Sequence, residues 1–278
     1  MTGRLSWPLA YTVSSDDCRT PVPLGFGAPF AEAVGHLAEL GYDGLEVQVR
    51  DADAKDAARF EDTLAGTDLH VLAIGTGPVA AQDSLTLTDP SPDVRRHALD
   101  RLLGAARLAG ALGVPVTLGQ TRGTFLPGLA DVQLTWVHRS VARLAQEATA
   151  HGSRLLLEPQ CRDNTSLWHT PGETLSAARQ LGIAPGLVLD THHLEREGID
   201  PMAAVRDHVA DTACVQLADA HGRGPLTVGD HRLPPLLRAL RDGGFTGWLT
   251  LEHTQGDDSA QAAARSWTAL HDAADSVL

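Results

Sequence analysis

The chain has 278 residues, and 22 Lys and Arg against 35 Asp and Glu give a formal charge of −13; so acidic a molecule is ill suited to nucleic-acid backbones or anionic membranes, which need positive surface. A content of 43% hydrophobic and 21% charged residues excludes a disordered chain, and no run of about 18 apolar residues offers a membrane-spanning helix. The opening MTGRLSWPLAYTVSSDD, its short apolar run broken by Pro8, does not read as a signal peptide, and the widely spaced Cys18, Cys161 and Cys214 form neither a disulfide framework nor a CxxC metal site, so a reducing cytoplasm is the expected location.

In chain order, apolar runs at 5–12, 44–49, 70–74, 114–118, 154–157, 187–189, 214–217 and 248–251 predict eight strands. Most are continuous rather than alternating, the pattern of a parallel sheet buried on both faces. Helical patterns fall between them. The clearest spans 93–112, with Ser91 as N-cap, Pro92 at the first helical position and Gly113 as the stop. Its apolar residues Val94, Ala98, Leu102, Ala105, Ala109 and Leu112 form one stripe. Stretches 131–150 and 235–241 look similar, the second ending at Gly243-Gly244. Strands alternating with helices imply βαβ units. Eight units in a chain of this length predict a single (β/α)8 barrel domain over residues 1–278, an α/β TIM barrel.

The late strands run directly into polar residues. Leu155-Leu156-Leu157 leads to Glu158, Leu187-Val188-Leu189 to Asp190 and then His192-His193, Val215 to Gln216, and Leu249-Thr250-Leu251 to Glu252-His253. In a parallel barrel these tips open on one face, where active sites sit. A lone acid after a strand commonly caps a helix, but four polar residues, each directly after a buried run, point to a shared centre. Three clustered carboxylates repel, and a divalent cation relieves that repulsion. Glu158, Asp190, Gln216 and Glu252 form an oxygen set that favours Mg²⁺ or Mn²⁺, while His193 would move the preference toward Zn²⁺ or Co²⁺. His193 can be a ligand, a base or a donor beside the ligands; His192 is expected beside them; His253 can line the pocket or pack next to it. Glu46, inside the second strand, can support a ligand or form a structural ion pair, and Cys161 and Cys214 read as apolar fillers.

The segments VQVRDAD (47–53), AIGTG (73–77), SLTLTDPSPDVRRHALDRL (84–102), LLLEPQCR (155–162), LVLDTHH (187–193), VQLAD (215–219) and GFTGWLTLEH (244–253) resemble, in order and spacing, the sugar phosphate isomerase/epimerase family of xylose-isomerase-like TIM barrels. The first half is most similar to the branch containing 5-keto-L-gluconate epimerase. The resemblance implies that Glu158 and Glu252 bind the metal and shuttle the proton. It implies that Asp190 and a strand-seven residue complete the ligands, and that His193 and Arg162 contact substrate. The strand-seven ligand is usually a histidine; here it is Gln216. The usual Leu-Asn before Arg162 is Gln160-Cys161, and the Arg of the strand-seven loop, Arg223, falls one place late. Gln216 within VQLADA also resembles bacterial 3-dehydroshikimate dehydratases, without their longer loop. Related endonucleases carry extra histidines at strands three and four, where this chain has Gly75 and Gly119.

The expected activity is that of a metal-dependent sugar or keto-sugar isomerase or epimerase. A cation would chelate the carbonyl and a neighbouring hydroxyl, and one glutamate would remove the adjacent proton, forming an enediolate that the other reprotonates. Glu158, Glu252 and His193 are the expected catalytic residues, with Arg162, His193, Arg223 and His253 on the substrate. Elimination by a lyase or dehydratase on the same barrel, with His193 as base, is the alternative; a non-catalytic binding barrel is the third reading. A sugar-like small molecule is the expected partner, not nucleic acid or membrane, and self-association into a homo-oligomer is compatible with the sequence. Trp7, Thr76 and Gln120 are expected to shape the pocket.

Overall fold

A computed structural model describes residues 5–19, 22–184 and 186–277. Eight parallel strands close on themselves in sequence order: β1 (Leu9–Ser14), β2 (Gly44–Gln48), β3 (His70–Gly75), β4 (Val116–Leu118), β5 (Leu155–Leu157), β6 (Leu187–Asp190), β7 (Thr212–Leu217) and β8 (Trp248–Leu251). Every predicted strand is present. The largest difference is at β1, which starts at Leu9 rather than residue 5: Trp7 and Leu5 are buried, but only from Leu9 does the backbone pair with β8, where Leu9 lies opposite Leu249. Trp7, expected at the pocket, sits before the strand and donates its indole N–H to the Phe245 carbonyl at 2.8 Å.

The helices follow their sequence signals. Pro92–Ala111 begins after Ser91 with Pro92 in its first turn, and Gly113 takes the left-handed conformation (φ 69°) that turns the chain out of it. Pro171–Gln180 begins with a capping box, Thr170 accepting from the Glu173 N–H while Glu173 reaches back. These helices cover the outer faces of the strands and enclose the main apolar core, which runs from Leu9 and Val13 through Leu102, Val141 and Leu187 to Leu237 and Leu270. No helix among the described residues is long and apolar enough to cross a membrane.

A second, smaller apolar cluster of Leu156, Val188, Ala213 and Cys214 lies on the strands themselves. Other strand side chains are buried yet polar: Thr12, Glu46, Thr117, Gln216 and Thr250. Glu46 on β2 accepts hydrogen bonds from Gln216 on β7, two strands that are not neighbours in the barrel, so the contact spans its interior. Alternation along each strand places these groups inward and the neighbouring leucines and valines toward the helices. An inside so rich in hydrogen-bonding groups implies chemistry at its open end, since a purely structural core avoids buried polar atoms that need partners.

Candidate active site

At the carboxyl ends of the strands lies a cavity of about 310 Å³ whose lining includes Glu46, Glu158, His193, Gln216, Arg223 and Glu252. Val22, Pro23, Leu24, Pro78 and Ala81 add apolar wall, and Thr76 and Gln120 contribute as the sequence suggests.

Glu158 is positioned from three sides. Its backbone carbonyl accepts from Nη1 of Arg122 at 2.8 Å, and its carboxylate Oε2 accepts from Gln160 Nε2 at 2.7 Å. The third constraint is the absence of a side chain at residue 119: a Cβ there would stand 2.3 Å from Glu158 Oε2 and 2.4 Å from Gln160 Nε2. Gly119 therefore holds space for the carboxylate and its partner. At Gly75 the equivalent space is filled by the Gln48 side chain, 2.2 Å from a would-be Cβ. Gly119→Ala is expected to fold, because the displaced atoms end movable side chains, but to lose activity by on the order of 100-fold through misplacement of Glu158. Circular dichroism and turnover measured together check this; full turnover in the folded variant would show that the Glu158 position is not critical.

Asp190 ends β6 and caps the short helix Thr191–Arg196, its Oδ1 accepting from the His192 N–H at 2.8 Å. Its other oxygen pairs with Arg223, which also pairs with Glu252 Oε2. His193 points Nε2 at both Glu158 Oε1 and Asp190 Oδ2, each 3.5 Å away, while its Nδ1 lies 3.3 Å from Cys161 Sγ. Cys161 is buried, as a filler would be, and touches the far side of the His193 imidazole. Single ligand atoms of Glu158, Asp190 and His193 lie within 4.8 Å of one another.

Electrostatics separate the carboxylates. Burial raises Glu158 well above the usual range, and Glu252 and Asp190 add to the rise. Burial pushes Glu252 up to about 7 against the opposing pull of Arg223. Glu46 reaches about 8, chiefly through burial and then the charge of Glu252. Asp190 is also raised by burial, but Arg223 and His193 more than offset this and leave it below its ordinary value. Burial holds His193 at about 4, so its ring is neutral near pH 7. The cluster carries more acid than Arg223 neutralises, and it retains protons in response.

These residues fit a divalent cation. The donor set is rich in carboxylate oxygen, and Gln216 Oε1 is buried without any hydrogen-bond partner, while Gln216 Nε2 is satisfied by Glu46. A buried carbonyl oxygen left open beside excess negative charge is the chemistry of a hard-cation ligand.

Two expected substrate contacts lie elsewhere. Arg162 does not line the cavity: its backbone N–H and guanidinium are both held by Glu197, just beyond the helix that follows Asp190, and its side chain is 65% exposed. His253 faces away because neighbouring strand residues point to opposite sides; with Glu252 turned inward, His253 packs outward against Tyr11, with Nε2 3.0 Å from Ser266 Oγ and 3.3 Å from Tyr11 Oη. Burial lowers His253 to about 4. A buried histidine that resists protonation stabilises the fold above its unfolded value near 6.5, and this contribution is lost as pH falls toward 4, amounting to roughly 3 kcal/mol. Wild type is expected to lose that much more stability than His253→Gln between pH 7 and 4 in urea titrations; parallel curves would refute it. Arg223 does reach the cavity, but its charge is engaged by two carboxylates.

Sequence reasoning did not find Gln160, Gln48 or Arg122, nor fix the role of Glu46. Arg122 is fully buried beneath the site and stacks 5.1 Å over the Trp168 ring. A lone carboxylate inside GLEVQ was the available signal for Glu46, since a buried acid needs partners.

The chain belongs to the family described as Xylose isomerase-like TIM barrel, which it matches over residues 34–270. It is 26% identical over 257 residues to a Streptomyces coelicolor protein named "Putative hydroxypyruvate isomerase", covering 89% of this chain and 91% of that one. It is 23% identical over 224 residues to a ketose 3-epimerase of Arthrobacter globiformis, covering 79% and 76%. Among solved structures, 3-keto-D-glucoside 4-epimerase from E. coli, in its apo form, superposes with a TM-score of 0.74 at 18% identity, over 95% of this chain and 99% of the other. The names of these relatives are those of isomerases and epimerases.

Proposed function

We propose that this protein is a divalent-metal-dependent isomerase or epimerase of an uncharged keto-sugar, moving the proton on a carbon beside the carbonyl. The observation that carries the reading is the pair Glu158 and Glu252, two buried carboxylates that line one cavity and that burial raises above the ordinary glutamate value, Glu252 to about 7. A general acid–base pair works best with proton affinities near the working pH. One glutamate takes the proton and the other returns one, to the opposite face in epimerisation or to the adjoining carbon in isomerisation. His193, neutral and wedged between carboxylates, offers its ring nitrogen to a substrate oxygen. Glu158, Asp190, Gln216 and Glu252 would hold the ion, with Mn²⁺ or Mg²⁺ matching the oxygen donors and His193 the feature that would admit Co²⁺ or Zn²⁺. When bound, the ion supplies Lewis-acid polarisation of the carbonyl.

The charge balance argues for a neutral substrate. Arg223 is the one guanidinium among the described lining residues, and it is paired with Asp190 and Glu252. The four carboxylates Glu46, Glu158, Asp190 and Glu252 outnumber the charge of that guanidinium and a divalent ion together, and like-charged walls repel a phosphate or carboxylate. The apolar wall of Val22, Pro23 and Leu24 suits the carbon face of a sugar.

The test is incubation of the Mn²⁺-supplemented protein with neutral ketoses, sugar phosphates and hydroxypyruvate in D₂O, followed by NMR. Deuterium entering beside the carbonyl of a neutral ketose, with little in the anionic compounds, is expected. Exchange confined to anionic compounds would overturn the neutral-substrate reading, and an ultraviolet-absorbing enone product would replace isomerisation by elimination.

A further inference from the structure

Glu46 is the buried cavity carboxylate that the proton chemistry above leaves unused. It is 1% exposed, in the middle of β2. The β2–β3 register slips between Leu45 and Glu46, where Leu72 is the extra residue in β3; such irregularities re-aim side chains near active sites. No salt bridge pairs Glu46 with a cation among the described residues, which disposes of the structural ion pair. Two amides bind it, Gln216 Nε2 donating to both oxygens at 3.0 and 3.1 Å and Gln48 Nε2 to Oε1 at 3.4 Å, and the Thr250 hydroxyl adds a further hydrogen bond.

A glutamine amide has a donor end and an acceptor end, and here the Gln216 Nε2 lies within hydrogen-bond distance of both Glu46 oxygens. With Nε2 claimed by Glu46, Oε1 must face the other way. That oxygen is buried and left without a hydrogen-bond partner, and Gln216 lies opposite Asp190 in the β6–β7 register. We propose that Glu46 is the positioning residue that fixes the Gln216 amide with its oxygen toward the cation site, so that a glutamine serves there as an oxygen donor. The inference rests on the reading that the acidic cluster holds a divalent ion. A glutamine at position 46 would bring an NH2 group able to take the Gln216 oxygen for itself.

A double-mutant cycle read by Mn²⁺ calorimetry on the full chain, stripped of metal beforehand, tests this. Glu46→Gln and Gln216→Met are each expected to weaken Mn²⁺ binding about 10- to 100-fold, the usual effect of losing a ligand's support. The double variant is expected to bind within about twofold of Gln216→Met alone, because Glu46 acts through an amide that is no longer there. Unchanged affinity in Glu46→Gln, or losses that multiply in the double variant, would overturn the proposal; multiplying losses would mean that Glu46 acts by its charge alone. A wild type that takes up no Mn²⁺ would overturn the cation reading itself, and this inference with it. Thermal unfolding in EDTA verifies each fold, and Gln216→Ala takes the place of Gln216→Met in the cycle if that variant does not fold.

Discussion

Glu158→Gln and Glu252→Gln are each expected to lower turnover by on the order of a thousandfold, and to remove deuterium exchange beside the substrate carbonyl. The carboxamide keeps the shape of the side chain and one oxygen but cannot carry the proton. Both residues are also expected ligands, so the measurement belongs at saturating Mn²⁺, where weakened metal binding is compensated. Asp190→Asn is the control that separates the two roles. Arg223 and the His192 N–H hold Asp190 as the anion, below its ordinary value, so it makes a poor base. Glu158 and Glu252 are raised instead. Environments that push neighbouring carboxylates apart assign their roles: Asp190→Asn should weaken Mn²⁺ binding yet recover exchange once the ion is saturating. If Asp190→Asn stayed as inactive as Glu252→Gln under those conditions, the division between anchor and proton carriers would be wrong.

The barrel was legible in the sequence because a strand buried on both faces favours an apolar run, and eight such runs recur, most of them continuous. The helix Pro92–Ala111 was legible for a second reason, its start and stop being written in Ser91, Pro92 and Gly113. The same property that exposed the strands hid part of the site. A continuous run does not say which residues face inward, so GLEVQ gave no sign that Glu46 reaches across to β7. The tips were easier, since Glu158, Asp190 and Glu252 each stand out as a charge directly after an apolar run. The phase of alternation also decides between Glu252 and His253, which are adjacent in sequence but end on opposite sides of the sheet. Arg162 followed from resemblance alone, and the Glu197 that captures it lies 35 positions away. Pairings at that range depend on the packed fold.

Arg223→Met is expected to lower the melting temperature of the metal-free protein, and Mn²⁺ is expected to restore most of the loss. The guanidinium bridges Asp190 and Glu252 from a backbone held in the left-handed region (φ 58°), with its carbonyl fixed by the Thr254 N–H at 2.8 Å. Removing one partner from a buried ion pair leaves uncompensated charge, at a cost of about 3–5 kcal/mol. The two carboxylates it holds are ones a divalent ion would also use, so guanidinium and ion compete for the same oxygens. In wild type, part of the binding free energy of the ion goes into displacing that contact, and the rise in melting temperature with Mn²⁺ is correspondingly small. In Arg223→Met the ion meets two unpaired acids, binds more tightly and stabilises the folded state further, because a ligand selective for the native protein raises stability with the ratio of its concentration to Kd. Differential scanning calorimetry of both proteins across a Mn²⁺ series measures the effect directly. Equal increments in the two proteins would mean that arginine and ion occupy separate places, and that Arg223 is a permanent counter-charge rather than a competitor for the metal's oxygens.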